Sequence, residues 1–286
     1  MATLSGAWRH AYSSAIGFTG GACVGLVGWG GAQFIIPGMT HPLMGLSQLA
    51  ATGVSLCSLS VSTVMSAAKF VMNDSVSLST AAAIALPSIV TARLGAKLAA
   101  RMADDVLQLA FNGASVLLIP THFLVQRHAA QRAVDPPRLA RTTSEDFQIA
   151  HARDSSSLLL HGAFGCVSGV ISAIMGVGGL PLSMSYLTAC TPLPHHLVQG
   201  TAVLAVAPSA IVSALSRMSV IPPATAASVT VGAMGGAVAG ASAALRTPEE
   251  RLRQLYMASL VVLGGRSMWR ATQNLRSIWA RRGGRM

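Results

Sequence analysis

The sequence predicts an all-α, polytopic bundle of transmembrane helices, and three observations predict it. Charge is too scarce for a water-facing exterior, every acidic residue lies between apolar runs, and one glycine-rich pattern occurs twice. Of 286 residues, 52% are hydrophobic and only 10% are Asp, Glu, Lys or Arg, with a mean hydropathy of +0.56. A soluble domain carries about 25% charged residues. The acids are Asp74, Asp104, Asp105, Asp135, Glu145, Asp146, Asp154, Glu249 and Glu250, and none interrupts an apolar run. A bilayer imposes that distribution, because a charge at its centre costs roughly 3 kcal/mol or more.

The repeat sets the architecture. Gly17, Gly21, Gly28, Gly30 and Gly31 return as Gly165, Gly169, Gly176, Gly178 and Gly179, all at an offset of 148 residues. The same offset sets Lys69 opposite Arg217 and brings Thr52-Gly53 beside Gly200-Thr201; later, Leu107 to Phe111 resembles Leu252 to Tyr256 in a slightly shifted register. Each half is therefore read as one unit used twice.

Each unit holds four apolar runs near the ~20 residues that cross a bilayer. They cover 12–38, 44–68, 76–97 and 105–126, then 158–190, 197–216, 222–245 and 252–270. The expected organisation is a first repeat over 1–126, a polar linker over 127–157 rich in Arg and Pro, a second repeat over 158–270 and a basic tail over 271–286. The opening run of each half is too long for one upright helix and carries Gly-x-Gly-Gly in its middle, where helix propensity is poorest. Both are expected to be broken or re-entrant.

Lys and Arg accumulate in cytoplasmic loops. Eight simple spans gather Arg9, Lys69, the linker arginines, Arg217 and the C-terminal arginines on one side, against Arg93, Lys97, Arg101, Arg246, Arg251 and Arg253 on the other. If the glycine-rich segments instead return to their own side, the halves are inverted and the charge is nearly even. The bias favours eight simple spans with both termini cytoplasmic.

The breaks are the candidate binding site. Interrupting a helix in hydrocarbon frees backbone N–H groups at the start of the next half-helix, and each costs several kcal/mol (roughly 2–7) without an acceptor. An anion accepts from those groups and is favoured by the helix dipole. Two breaks related by a repeat and meeting at mid-depth are a common way to build a transport site. The substrate-binding candidates are Gly28, Gly30, Gly31, Gly176, Gly178 and Gly179, with Gln33 and Thr201 as nearby hydrogen-bonding groups. The plainer alternative is that these glycines only permit tight bends. Gly17, Gly21 and Gly25, and likewise Gly165 and Gly169, fall on one helical face and read as close-packing positions.

Other chemistry is not signalled. No apolar run holds a carboxylate in its interior, which disfavours a cation carrier, although His41, His161, His195 and His196 are available to handle protons. Arg93, Lys97 and Arg101 share one face, where they either attract anions or snorkel to the interface. Asp104-Asp105 and Glu249-Glu250 suit helix N-termini. No nucleophile elbow, zinc-helix motif or phosphate loop is present, and Cys23, Cys57, Cys166 and Cys190 have no metal-ligand spacing. No catalytic residue, metal or cofactor is expected. The net charge of +11 comes from loops and termini, not from a groove lined with aromatics, so a nucleic-acid partner is not expected either. Met1 to Tyr12, basic and free of acids, resembles either an organellar presequence or the positive flank of a first span.

The sequence resembles the sulfite exporter TauE/SafE family. The resemblance lies in Gly17 to Pro37, Ala51-Thr52-Gly53, Leu94 to Arg101, Gly162 to Gly179 and Gln199-Gly200-Thr201, and it spans the chain apart from the linker and tail. It implies an internally duplicated body of mostly eight spans that exports or passes sulfite, sulfonates or related small organic anions. This chain departs from the family pattern at Ala32 and Leu180, where a third consecutive glycine is common, and at Pro181, displaced relative to Pro37. The expected function is a secondary permease for small anions in the plasma membrane or an organelle membrane. Its partners are the anion and the lipid bilayer, and a second copy of the chain is permitted. The alternative is a non-transporting scaffold that binds a partner or anionic lipid through its linker and basic tail.

Overall fold

The computed structural model describes residues 6–113, 155–191 and 193–283, and every regular element among them is helical. In chain order they are α1 (Gly6–Val27), α2 (Ala32–Met39), α3 (Gln48–Val71), α4 (Leu78–Ala99) and a helical stretch over 104–113, followed by α5 (Ser155–Met175), α6 (Leu180–Cys190), α7 (His195–Leu215), a 3₁₀ turn (Met218–Val220), α8 (Pro223–Arg246) and α9 (Glu249–Gly283). Among the described residues, five helices are long and apolar enough to cross a membrane: α3, α4, Leu158–Met175 within α5, α7 and α8. The chain is a polytopic helical membrane protein. The linker and the second part of the run over 105–126 lie outside the described residues.

The helix starts are built by side chains. Ser47 caps α3 by accepting the Ala50 N–H at 3.2 Å, and the Asp104 carboxylate accepts the Gln48 and Leu49 N–H groups at 3.2 Å each. Glu249 does the same for α7, accepting the His195 N–H at 2.6 Å. The two acidic pairs thus serve helix N-termini, and the first member of each serves a neighbour's. Within helices, Thr63 and Ser209 turn their hydroxyls onto the Leu59 and Val206 carbonyls, at 2.7 and 2.9 Å, so that polar side chains sit inside an apolar bundle at little cost.

α1 lies against α8 with backbone touching backbone. A Cβ on Gly17, Gly21 or Gly25 would fall on the carbonyl oxygen of Val229, Ala233 or Ala237, and one on Gly232, Gly236 or Gly240 would fall on that of Ser14, Phe18 or Ala22. α5 packs on α4 in the same way, with Gly165 and Gly169 facing the Ile84 and Ser88 carbonyls. Small residues at every fourth position are what permit this approach where lipid offers no hydrophobic drive between helices. The opening helix of one half therefore rests on the third apolar segment of the other, so the halves interlock.

The path of the chain corrects one expectation. After α1 the backbone turns and α2 runs back alongside it: Gly31 lies against Gly20, Gly38 against Ile16, and Arg9 Nη2 donates to the Met44 carbonyl at 3.4 Å. α6 returns along α5, placing Gly179 beside Ser172 and Tyr186 beside His161. The first segments are re-entrant hairpins and not simple spans. Arg9 and Lys69, which simple spans would place together, fall at opposite ends of the bundle.

The halves are in consequence inverted. Thr52, near the start of α3, meets Arg217 just past the end of α7, while Ser77, just after α3, meets Thr201 near the start of α7. Arg9, Lys97, Arg101 and Arg217 fall toward one end and Lys69, Arg246, Arg251 and Arg253 toward the other. This near balance explains why charge counting favoured the wrong path. α9 starts at the Lys69 end and reaches Gln33 through Ser267, heading for the end where α1 begins.

The hairpin path is tested by labelling single cysteines with a membrane-impermeant thiol reagent in a background lacking Cys23, Cys57, Cys166 and Cys190. His10→Cys and Leu43→Cys, both at exposed positions, are expected to label from the same side and Asn73→Cys from the opposite side. Eight simple spans predict that His10→Cys and Asn73→Cys label together.

Candidate functional site: the paired helix breaks

Both breaks arise where glycine adopts backbone conformations closed to other residues. α1 ends at Gly28, with φ +71°, and α5 ends at Gly176, with φ +72°. Gly178 and Gly179 follow in the same left-handed region. The half-helices that resume, α2 and α6, have Gly31 and Gly179 at their N-caps, and neither carries a side-chain cap. Their leading N–H groups thus begin inside the bundle behind residues that cannot offer the hydroxyl that Ser47 offers to α3.

The two breaks touch. A Cβ on Gly30 would stand 2.8 Å from the Val177 carbonyl oxygen, which puts the tip of the first hairpin directly against the tip of the second. Gly28 faces Met184 and the Gln199 side chain, at 3.2 and 3.4 Å from the position of its absent Cβ. Gly176 faces Thr52 at 2.6 Å, Gly178 faces Leu59 and Val206, and Gly179 faces Ser172 at 3.2 Å. Gly31 packs on Gly20 at 2.7 Å. Three of the six glycines, Gly28, Gly176 and Gly178, thus line contacts with the long helices α3 and α7, Gly30 lines the contact between the hairpins, and Gly31 and Gly179 close each hairpin on itself.

The polar candidates separate. Gln33 is buried on the first turn of α2, where its Oε1 accepts the Ser267 hydroxyl at 3.3 Å. Thr201 is fully buried, but its hydroxyl accepts the Ser77 N–H at 2.9 Å and so braces the start of α4. Arg93, Lys97 and Arg101 lie on the exposed surface of α4, away from both breaks. His161 is buried between α5 and α6, its Nδ1 2.7 Å from the Tyr186 hydroxyl.

Other residues crowd the breaks more closely. Gln199 Nε2 donates to the Gly25 carbonyl at 2.7 Å, and its Oε1 has no partner among the described residues. Ser55 donates to the Gly176 carbonyl at 2.9 Å. Ser172, before the second break, and Ser183, in the first turn of α6, are buried with hydroxyls that have no partner among the described residues. Arg217, only 2% exposed, donates from Nη1 to the Thr52 hydroxyl at 2.5 Å and from Nη2 to the Ala173 carbonyl. Burial pushes its guanidinium down to about 10, which leaves it cationic at neutral pH. The sequence did carry a signal for Gln199 and Arg217, because Arg217 falls opposite Lys69 in the repeat and Gln199 lies in a segment that carries the family resemblance. Serines in apolar runs carry none.

A family model described as sulfite exporter TauE/SafE matches residues 13–267. Neither a curated protein nor a solved structure matches the chain.

Gly176→Ala is expected to cost well over 2 kcal/mol in thermal unfolding of the detergent-solubilised protein, because it combines a left-handed backbone, worth roughly 1–2 kcal/mol, with overlap on Thr52. Gly45 has φ +67° with nothing within 4 Å of a Cβ, so Gly45→Ala isolates the backbone term at roughly 1 kcal/mol. Equal losses at the two positions would mean that the second break does not pack as described.

Proposed function

We infer that this chain, which belongs to the sulfite exporter TauE/SafE family and is a multi-pass membrane transporter and not an enzyme, carries small sulfur oxyanions such as sulfite and sulfonates as a secondary permease. The anion is held where the two re-entrant hairpins meet. One observation carries this reading: two half-helices begin inside the bundle at glycine N-caps without side-chain caps, at breaks that touch through Gly30 and Val177. Uncapped N–H groups and a positive dipole end attract a negative solute from each side.

The scaffold for this activity is two inverted four-segment repeats, over 1–126 and 158–270, joined by the linker over 127–157 and followed by the basic tail. Each repeat contributes a hairpin and three crossing segments, and both termini are on the cytoplasmic side. Inversion gives the transporter two equivalent hairpins entering from opposite faces. Rocking of one hairpin with its partner helices against the other exposes the same contact point first to one side and then to the other. The substrate-binding residues are Gly28, Gly30, Gly31, Gly176, Gly178 and Gly179. The leading amides of α2 and, Pro181 having no N–H, those of Leu180 and Leu182 in α6 donate to the anion, and the hydroxyls of Ser172 and Ser183, without a partner among the described residues, add further donors. Gln33 and Thr201 position α2 and α4 around it.

Purified protein in sealed proteoliposomes is expected to pass labelled sulfite and methanesulfonate, in assays run with and without an imposed proton gradient. Ser183→Ala is expected to raise KM about fivefold to tenfold, equivalent to about 1–1.5 kcal/mol for one lost hydrogen bond, with little change in the yield of folded protein. Absence of flux for every sulfur oxyanion tested, in liposomes containing folded protein, would defeat this function.

A further inference from the structure

The two breaks are related by the repeat, but they are not electrically equal. Gly25 and Ala173 are equivalent positions at the 148-residue offset, each three residues before a break. The Gly25 carbonyl receives the neutral amide of Gln199, while the Ala173 carbonyl receives the guanidinium of Arg217. Satisfying a last-turn carbonyl therefore needs no more than an amide, and the cation at the second break exceeds what the cap requires. Its counterpart Lys69 is only half-buried.

Arg217 is also the only buried Lys, Arg, Asp or Glu among the described residues. Its two recorded partners, the Thr52 hydroxyl and the Ala173 carbonyl, are neutral, and Nε has no partner among the described residues. The buried hydroxyls of Ser172, next to Ala173, and Ser213, one turn before Arg217 on α7, are unpartnered as well. A buried cation without a counter-charge is costly, and a bound anion removes that cost. The planar fork of guanidinium suits an anion that offers two oxygens side by side.

We propose that Arg217 is the charged substrate ligand of this transporter, engaging two oxygens of an –SO₃⁻ group at the second break with help from Ser172 and Ser213. This rests on the anion-transport reading and adds to it a charged ligand and an unequal pair of half-sites. The second break, packed on Thr52 and Arg217, holds the anion tightly, and the first, with Gln199, holds it loosely. Such an order lets one substrate enter against charge and leave from a neutral half-site.

The test uses the full-length protein and sodium sulfite. In wild type, sulfite is expected to raise the melting temperature in detergent and to be transported in proteoliposomes; failure of both defeats the anion reading itself. Given wild-type transport, Arg217→Lys is expected to abolish the sulfite-induced shift and raise KM at least thirtyfold, since an ammonium keeps the charge but loses the fork. A folded Arg217→Lys protein with wild-type KM and an intact shift would overturn the assignment and leave Arg217 as a helix cap. Should Arg217→Lys yield no folded protein, Thr52→Val releases Nη1 without removing the cation. It is expected to change KM for sulfite at least fivefold, and an unchanged KM would likewise reject the proposal.

Discussion

A backbone amide in hydrocarbon must have a partner, and this constraint explains most of what the molecule does. The chain breaks two helices inside the bundle and then shields both breaks by pressing them together, Gly30 against Val177. Everything around that contact follows from protecting it. α3 and α7 flank it with Thr52, Leu59, Val206 and Gln199, and the Gln199 amide, the Arg217 guanidinium and the Ser55 hydroxyl take up stray carbonyls at Gly25, Ala173 and Gly176. The leading N–H groups of α2 and α6 follow glycine N-caps, Gly31 and Gly179, which have no side chain to receive them.

Interlocking of the halves is the mechanical counterpart of that shielding. α1 bears on α8 and α5 on α4 through carbonyl-to-glycine contacts that tolerate no side chain, so each hairpin is fixed to a helix of the other repeat. Movement of one hairpin must carry its partner helix along. The tips of the two hairpins, held in this way, touch through irregular backbone at Gly30 and Val177.

The legibility of the sequence varied with the length scale of the cause. Bilayer chemistry acts on composition, so the helical membrane class was plain from charge and acid placement alone. The glycine offset revealed the repeat and both breaks, because a left-handed φ at Gly28 and Gly176 leaves a residue-level mark. The direction taken after each break did not follow from the residues, since it is decided by tertiary contacts: Gly31 on Gly20, Gly38 on Ile16, Arg9 on Met44. Charge counting could not supply it, as inversion spreads Lys and Arg almost evenly between the ends. Thr201 and Gln33 were picked out as polar groups near glycine, yet a hydroxyl in an apolar run looks the same whether it faces a ligand or a neighbouring N–H. Thr201 faces the N–H of Ser77.

Arg217 illustrates the opposite error of scale. A cation directly after an apolar run reads as an anchor at the membrane surface, like Arg93, Lys97 and Arg101 on and just past α4, which are exposed. Its position changes meaning only when α5, arriving from the other end of the bundle, ends beside it and offers the Ala173 carbonyl. Inversion thus brings a terminal residue of one helix to the interior break of another, and this is possible at both ends of the pseudo-symmetric pair. At one end the chain supplies a guanidinium and at the other an amide. A duplicated scaffold can thus keep its fold symmetric while the equivalent carbonyls of Gly25 and Ala173 receive groups of different charge.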